Sequence, residues 1–333
     1  MEKFCVIGAN SFSGSGFIAK LLKDGLNVTG ISRSAEPHEA FLPHRWVGRD
    51  ELYKFHQLDL NNDLDAMMDV IAAQKPDYVV NFAAQSMVAQ SWAHPEHWFQ
   101  TNTVATVKLH DRLRKCDFLK KYVHVSTPEV YGSTGGATGG LVGEDAPFNP
   151  STPYAVSRAA SDMSLKSFFS AYKFPVVFTR AANVYGAGQQ LYRIIPRTIL
   201  FLRLNKMLKL DGGGVSVRSF IHIDDVADAT LRIARNGTPP EAYHISTPEN
   251  ISIRSLVERI CARLGKKFEE SVEIGPERLG KDAFYTLDSA RVRKELGWKD
   301  HISLDQGIET TCAWVDRYLD VLKNQPFDYQ HKP

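Results

Sequence analysis

The sequence has little net charge and no long apolar run. Its 333 residues carry 40 lysines and arginines against 38 aspartates and glutamates, a net charge of +2, and neither sign is concentrated. Proteins that bind nucleic acid or an anionic membrane surface usually present a basic face or tail, so we expect neither partner. No apolar run has the roughly 18 residues of a membrane-spanning helix. Small-molecule chemistry is therefore the class of function that we expect.

Cysteine is also scarce. Cys5, Cys116, Cys261 and Cys312 are far apart, and no pair has the short spacing of a zinc site or a redox motif. We expect reduced, buried thiols and no metal. The chain enters an apolar strand almost at once, which leaves no room for a signal peptide. A cytoplasmic protein is the expectation.

What the sequence does contain is an alternation of short strands and longer helical segments. The strand-like runs are rich in valine and isoleucine, and apolar runs of this kind are usually buried on both faces of a sheet. The pattern predicts the α/β class, with a doubly wound, Rossmann-type parallel sheet covered by helices on both sides. The six runs are Lys3–Gly8, Asn27–Ser32, Tyr53–Leu58, Asp77–Phe82, Lys121–Ser126 and Pro175–Arg180.

A glycine-containing turn follows the first of these runs and precedes an amphipathic helix. Glycine lets the backbone approach a pyrophosphate closely, and the start of the helix stabilises its charge. In this position the turn favours dinucleotide binding over a plain strand-to-helix connection. The predicted cofactor-binding residues of the turn are Gly8, Asn10, Ser11, Phe12, Ser13 and Gly14.

The end of the second strand bears on which dinucleotide binds. NAD sites usually place an acidic residue there, whereas NADP sites place an arginine. Arg33 stands at this position and favours NADP, with NAD as the alternative and a solvated surface charge as the other interpretation. Asp59, after the third strand, is placed either to bind the adenine or to cap the following helix.

Beyond Arg180 the alternation weakens, which predicts a smaller α/β lobe for the substrate. That lobe includes an apolar helix around Ile194–Leu204 and a strand near Val215–Ile223. The helix Asp224–Asn236 and the strand Ala242–Ile245 are expected to rejoin the sheet. The predicted dinucleotide-binding domain therefore comprises 1–182 plus about 221–246, and the substrate-binding lobe 183–220 plus about 247–333.

Tyr154 and Arg158 are four residues apart, on one face of a predicted helix. A tyrosine that acts as a base near neutral pH needs its pKa of about 10 lowered by roughly 3 units, or about 4 kcal/mol. A cation one turn away and a positive nicotinamide ring supply much of that. An isolated pair of this kind would favour a surface contact. Beside the turn and the strand end with Thr127 and Glu129, it predicts a catalytic tyrosine.

With these residues assembled, the chain resembles the extended short-chain dehydrogenase/reductases, in particular the nucleotide-sugar 4,6-dehydratase and epimerase group that includes the GDP-mannose and dTDP-glucose 4,6-dehydratases. The resemblance spans nearly the whole chain. Besides the segments above, it rests on Asn81-Phe82-Ala83-Ala84-Gln85-Ser86, Gly143-Glu144-Asp145-Ala146-Pro147, Arg180-Ala181-Ala182-Asn183-Val184-Tyr185-Gly186 and Arg218-Ser219-Phe220-Ile221-His222-Ile223-Asp224-Asp225-Val226.

The resemblance implies a role for each catalytic candidate. Tyr154 would take the proton of the sugar C4 hydroxyl while a hydride passes to the cofactor, and Thr127 would hydrogen-bond the same oxygen. Glu129 would then remove the C5 proton, water would leave from C6, and the hydride would return to C6. Arg158 would help to bind the cofactor ribose.

The same resemblance implies further contacts. To the cofactor site it adds Leu60, Ala83, Ala84, Gln85, Tyr154 and Arg158. To the substrate site, which would take a nucleotide-activated sugar, it assigns Ser86, Thr127, Asn183, Arg218, Arg278 and Tyr285. A homodimer is implied as well, with apolar side chains at its interface or in the core at Trp98, Phe99, Phe168 and Phe169.

Two positions depart from the family pattern. Pro128 stands where the dTDP-glucose dehydratases have an aspartic acid, so Glu129 or water would have to protonate the leaving hydroxyl. Arg158 replaces the family's lysine and offers a planar fork instead of a compact ammonium group. Two alternatives stay open: a 4-epimerase or decarboxylase of the same family, and a dinucleotide-binding sensor protein with impaired catalysis.

Overall fold

A computed structural model describes residues 2–133, 140–276 and 286–332. Its central feature is a sheet of seven parallel strands in the order β10-β6-β5-β4-β1-β2-β3, which confirms the predicted doubly wound α/β fold. The observed strands agree with the predicted runs to within one or two residues. They are β1 Lys3–Ile7, β2 Asn27–Ser32, β3 Tyr53–Gln57, β4 Tyr78–Asn81, β5 Lys121–Val125, β6 Val176–Ala181 and β10 Ala242–Ile245.

Both faces of this sheet are covered by helices. Alternate residues of a strand point to opposite faces: Val6 packs with α1 and α7 on one side, whereas Ile7 packs with α2, α4 and α5 on the other. A Cβ on Gly16 of α1 would lie 2.4 Å from Cγ1 of Ile223, so glycine permits α1 and α7 to touch. These helices are α1 Phe12–Lys23, α2 Leu64–Gln74, α3 Pro95–Phe99, α4 Thr106–Leu113, α5 Pro153–Tyr172 and α7 Ile223–Asn236.

The second lobe has its own apolar cluster and two small sheets. One sheet has the order β11-β9-β7, and the other pairs β12 with β8. The predicted helix and strand of this part are present as α6 and β9. Its strands are β7 Asn183–Tyr185, β8 Leu208–Asp211, β9 Val217–His222, β11 Asn250–Ser252 and β12 Val272–Gly275. Its helices are α6 Ile194–Arg203, α8 Ile253–Arg263, α9 Phe268–Ser271, α11 Leu304–Arg317 and α12 Leu319–Leu322. The helix α10 Ala290–Leu296, which we expected in this lobe, packs instead against β10 and α7 of the sheet domain, where Val292 is part of the core.

The strand order reverses between β1 and β4. In open α/β sheets, ligands bind in the crevice outside the carboxyl ends of the strands at such a point. β10 lies parallel to β6 at the far edge, as its sequence predicted. Among the helices of the described residues, none has the length and apolarity that crossing a bilayer requires.

Candidate active site at the carboxyl edge of the sheet

The turn after β1 is built on two glycines. Gly8 has a φ of +84°, and a Cβ on it would lie 2.6 Å from the amide nitrogen of Ala83. A Cβ on Gly14 would lie 2.3 Å from the carbonyl oxygen of Gly8. Ser11 is the N-cap of α1: its hydroxyl donates to the Gly8 carbonyl (2.7 Å) and accepts from the Gly14 amide (3.0 Å). The turn therefore aims the start of α1 at the crevice, and it fits a pyrophosphate.

The other residues of the turn connect it to the second strand. The amide group of Asn10 donates to the carbonyl oxygen of Ser34 (2.8 Å), while Phe12 is buried and Ser13 is half-buried. Arg33 is half-buried, and its Nη2 donates to the carbonyl oxygen of Lys332 (3.1 Å). Arg33, which we predicted to bind the cofactor, is thus hydrogen-bonded to a residue near the far end of the chain.

The third strand ends in a tight turn at Asp59. The carboxylate of Asp59 accepts from the backbone amide of Asn61 (2.8 Å), and Leu60 is buried beside it. The following helix α2 has Asp63 as its N-cap. The alternative that Asp59 caps this helix is therefore wrong.

The segment after β4 is held by buried amides. The amide of Ala83 donates to Oδ1 of Asn81 (2.9 Å), and the amide of Gln85 donates to Oδ1 of Asn102 (2.8 Å). The side chain of Gln85 donates to the carbonyl oxygen of Lys332 (2.7 Å). The neighbouring residues Ala84 and Ser86 are half-buried and exposed, respectively.

Thr127, Glu129 and Tyr154 come together across the ends of β5 and α5. Thr127 is the N-cap of a short 3-10 helix, Pro128–Tyr131, and its hydroxyl accepts from the Glu129 amide (3.4 Å). Proline fits the first position of such a helix because no amide donor is needed there. Tyr154 lies in the first turn of α5 and hydrogen-bonds Thr127. Three of the four predicted catalytic side chains are therefore neighbours at the carboxyl end of β5.

The surroundings of Tyr154 hold its phenol in the protonated form. Burial and the negative charge of Glu129 raise the pKa of Tyr154 to about 12, against the opposing effects of Arg158, the Thr127 hydrogen bond and Arg193. Base catalysis near neutral pH therefore requires additional positive charge next to the phenol, as a nicotinamide ring provides. Sequence reasoning did not single out Arg193, because its approach to Tyr154 depends on the position of α6.

Arg158 lies beneath this group, 2% exposed. Its Nη2 donates to the carbonyl oxygen of Val125 and to Nε2 of His124 (3.2 Å), while its Nε is buried without a hydrogen-bond partner. Burial, Arg158 and Arg180 together lower the pKa of His124 well below its usual value. His124 is therefore neutral and accepts the bond, and the cation stays next to Tyr154.

A second buried cation, Arg180, forms an ion pair with Asp162. This pair was not predicted from the sequence. Asp162 pairs with Nη2 of Arg180 (2.8 Å) and accepts from the Ser126 hydroxyl (2.7 Å), and both charged side chains are fully buried. Asp162 continues the four-residue spacing of Tyr154 and Arg158 along α5. That spacing was the available signal. The ion pair fixes Ser126, the residue before Thr127.

The structure describes only some of the predicted substrate-binding residues. Asn183 in β7 and Arg218 in β9 lie on adjacent small-sheet strands of the second lobe, and both are half-buried. The guanidinium of Arg218 donates to the carbonyl oxygen of Val217 (2.8 Å). Arg278 and Tyr285 lie outside the described residues.

The four aromatic residues that we expected at an interface or in the core divide between the two. Trp98 is fully buried. Phe168 and Phe169 are half-buried against the core cluster of α2, α4 and α5. Phe99 is 36% exposed. Trp98 is therefore a core residue, and Phe99 faces outward.

The comparisons with known proteins agree with this geometry. The family described as GDP-mannose 4,6 dehydratase matches residues 5–311. A bovine (Bos taurus) dTDP-D-glucose 4,6-dehydratase is 30% identical over 99% of this chain and 94% of its own. The solved dTDP-glucose 4,6-dehydratase of Streptomyces venezuelae has 28% identity and a TM-score of 0.88, and covers 96% of this chain and 98% of its own.

A third relative, the dTDP-glucose 4,6-dehydratase of Bacillus anthracis, has 27% identity and a TM-score of 0.87, covering 97% of this chain and 99% of its own. Both solved relatives contain NAD. The family match covers almost the full length, including the turn after β1, Thr127, Glu129 and Tyr154. The chain belongs to the GDP-mannose 4,6-dehydratase family, as its motifs predicted.

Proposed function

We propose that this chain is a nucleotide-sugar 4,6-dehydratase that converts a nucleoside-diphosphate hexose into the 4-keto-6-deoxy sugar. The observation that carries the proposal is the convergence of Thr127, Glu129 and Tyr154 at the carboxyl edge of the sheet. A 4-epimerase needs the tyrosine but no base for C5, whereas a dehydratase needs both.

The turn around Gly8 and Gly14 would hold the pyrophosphate of a nicotinamide dinucleotide. When bound, this cofactor would accept the hydride from C4 of the sugar and later return it to C6. The Thr127 hydroxyl hydrogen-bonds the sugar C4 oxygen, and the Tyr154 phenolate takes its proton. The C4 ketone acidifies the C5 proton, which Glu129 removes. The C6 hydroxyl then leaves as water after Glu129 or a solvent molecule protonates it, because Pro128 has no proton to give.

Incubating the protein with dTDP-glucose, GDP-mannose, UDP-glucose and UDP-glucuronic acid tests the proposal. Mass spectrometry should show loss of one water from at least one sugar. An isomer of unchanged mass would indicate an epimerase, and loss of carbon dioxide from a nucleotide uronic acid would indicate a decarboxylase. No conversion of any sugar, despite bound dinucleotide, would favour the sensor protein.

Two variants assign the steps. Glu129→Gln should still reduce the bound cofactor on addition of sugar but should release no dehydrated product. Tyr154→Phe should lose both, since it lacks the hydroxyl that accepts the C4 proton. Normal product formation by Glu129→Gln would remove Glu129 from the mechanism.

We also infer that the protein is a cytoplasmic homodimer. The four cysteines form no disulfide. Several large apolar side chains are exposed on α5 and the segments packed against it, which is typical of an interaction surface. They are Trp92 (63% exposed), Phe99 (36%), Val104 (42%), Val156 (38%) and Met163 (62%).

Sedimentation of the purified protein tests the dimer. Met163→Asp should shift it to the monomer. Ile274→Asp is the matched control, because Ile274 is an exposed apolar residue (57%) in β12 of the second lobe. A monomeric parent protein would contradict the proposal.

A further inference from the structure

Three potential metal ligands lie together at the start of α3, and are here called the His94 cluster. His94, Glu96 and His97 each offer one ligand atom, and these atoms all lie within 4.8 Å of one another. Oε1 of Glu96 is 3.7 Å from Nδ1 of His94 and 3.7 Å from Nε2 of His97. Among residues 2–133, 140–276 and 286–332, no other group of three such side chains is so close together.

The local sequence produces this arrangement. His94 is the N-cap of α3 and His97 follows three positions later, and side chains three residues apart lie on the same face of a helix. In a tetrahedral zinc site, with bonds of about 2.0–2.1 Å, neighbouring ligand atoms are about 3.4 Å apart. The separations of 3.7 Å from Glu96 are close to that value. The backbone therefore already places the three side chains at the spacing that one metal ion needs.

The chemistry of the ligands selects the metal. Two imidazole nitrogens and one carboxylate oxygen are a combination that zinc binds, whereas magnesium and calcium prefer oxygen ligands alone. The side chains of His94 and Glu96 are 57% and 66% exposed, so they are free to rotate and close the longest separation. Three protein ligands leave the fourth position of a tetrahedral ion for water.

A chain of hydrogen bonds leads from the His94 cluster to residues 325–332, here called the strap. Nδ1 of His97 lies 2.8 Å from Nε2 of His331, and Nδ1 of His331 lies 3.2 Å from the hydroxyl of Tyr329. The ring of His331 also stacks on the indole of Trp98, with centroids 5.0 Å apart and an interplanar angle of 10°. His331 is therefore held beside His97 both through its ring nitrogens and through its ring face.

One arrangement of protons along this chain suits a metal ion on the cluster. A metal on Nε2 of His97 requires the proton of that ring to be on Nδ1, from which it donates to Nε2 of His331. The proton of His331 is then on Nδ1 and donates to the Tyr329 hydroxyl. Metal-bound histidines usually donate their other ring N–H in this way, and the bond orients the ring. Metal binding would therefore strengthen the contact between His97 and His331.

The strap is anchored at its other end on the second lobe. The ring of Phe327 packs edge-on against Phe201 of α6, with centroids 5.4 Å apart, and Nη2 of Arg197 in α6 pairs with the Asp328 carboxylate at 3.1 Å. The strap thus joins α6 to α3. A metal ion on the His94 cluster would fix the end of the strap that lies on the sheet domain.

The strap also reaches the candidate cofactor site. The carbonyl oxygen of Lys332 accepts from Nη2 of Arg33 (3.1 Å) and from Nε2 of Gln85 (2.7 Å), two of the predicted cofactor contacts. Lys332 directly follows His331. The metal ion would therefore act on a segment that ends beside the cofactor site.

We propose that His94, Glu96 and His97 bind a divalent cation of the zinc type, and that this ion stabilises the strap through His331. From the spacing of the cysteines we expected no metal. The contact of His97 with His331 spans 234 residues, which no local spacing predicts. The site goes beyond the proposed function and does not depend on it.

Calorimetric titration of the full chain, purified without a histidine tag, with zinc chloride tests the site. The parent protein should bind one zinc ion at the cluster, and magnesium should not compete. His331→Ala removes a hydrogen-bond partner but no ligand, and should weaken zinc binding by about tenfold to hundredfold. His94→Ala removes a ligand and should weaken it more. His301→Ala, at an exposed histidine outside the cluster, is the matched control and should bind zinc as the parent does.

Hydrogen exchange measured by mass spectrometry tests the link to the strap. Zinc should slow the exchange of the backbone amides of residues 325–332 in the parent and in His301→Ala, because binding stabilises the folded segment. The same zinc concentration should not slow it in His94→Ala. The side chain of His94 is largely exposed and makes no capping hydrogen bond to α3, so this variant should fold like the parent.

Zinc binding of equal strength in the parent and in His94→Ala, or binding that magnesium displaces, overturns the metal site. Binding that depends on His94 but leaves the exchange of residues 325–332 unchanged overturns the link to the strap. Neither measurement uses the sugar or the dinucleotide, so failure of the proposed reaction and failure of this site are distinguishable.

Discussion

Replacing Arg158 by methionine should move the ionisation of Tyr154 to higher pH, and replacing Glu129 by glutamine should move it to lower pH. Burial is the main cause of the raised pKa of Tyr154, and it is common to all three proteins. The charges of Glu129 and Arg158 act on the phenol with opposite signs. The substitutions at Arg158 and at Glu129 are therefore expected to shift the pKa of Tyr154 in opposite directions.

The size of the shift follows from the helix. The Cβ atoms of residues four apart on a helix are about 6 Å apart, and we take this value for the separation of the phenolate from the guanidinium. With an effective dielectric constant of about 20, two unit charges at that distance interact by about 3 kcal/mol, which is about 2 pH units. Arg158→Met should therefore raise the pKa of Tyr154 by about 2 units. Arg158→Lys keeps the charge and should change it less.

The assay is the first reduction of the bound cofactor after rapid mixing with sugar, followed by nicotinamide absorbance across pH. Only the phenolate accepts the C4 proton, so the rate rises with pH until the pKa of Tyr154 is passed. The rising limb should lie at higher pH in Arg158→Met and at lower pH in Glu129→Gln. Identical limbs in Arg158→Met and the parent, or shifts of the same sign in both variants, would refute the reasoning.

Three more predictions concern the turn, the ion pair and the departure from the family. Gly8→Ala should weaken dinucleotide binding at least tenfold in calorimetry, whereas Gly25→Ala, also at positive φ but with open space around its Cβ, should not. Asp162→Ala should lower the free energy of unfolding in urea by about 3–5 kcal/mol, because it leaves Arg180 buried and unpaired; a loss below about 1 kcal/mol would contradict this. Pro128→Asp supplies a proton donor and should speed product formation by about tenfold or more; an unchanged rate would show that protonation is not limiting.

The sheet was predictable because most of its strands are short apolar runs that no helix period explains, and the edge strand β3 alternates aromatic and polar residues. β10 was predictable as well, since Ala242–Ile245 is such a run after an amphipathic helix. The cofactor turn was predictable in kind, but the role of Ser11 was not. Whether a serine opens or closes such a turn depends on its side-chain rotamer, which the sequence does not determine.

The polar groups beneath the site were harder to predict for a different reason. Asp162 and Arg180 are 18 residues apart and on different elements. Each is an ordinary polar residue in its own segment, and only the packing of α5 on β6 makes them a pair. The contact of Lys332 with Arg33 spans 299 residues. A contact between residues so far apart in the sequence cannot be predicted from the residues around either of them.

The replacement of lysine by Arg158 has a structural explanation in the buried network. A lysine has a compact charge, whereas the arginine side chain is long enough for its guanidinium to reach the end of β5, where the Val125 carbonyl and neutral His124 accept its hydrogen bonds. Asp162 balances Arg180, so the charge of Arg158 has no buried carboxylate of its own among these groups. That charge remains available to Tyr154. The exchange is therefore expected to preserve the electrostatic effect on Tyr154, while the contact with the cofactor ribose depends on the guanidinium donors other than Nη2.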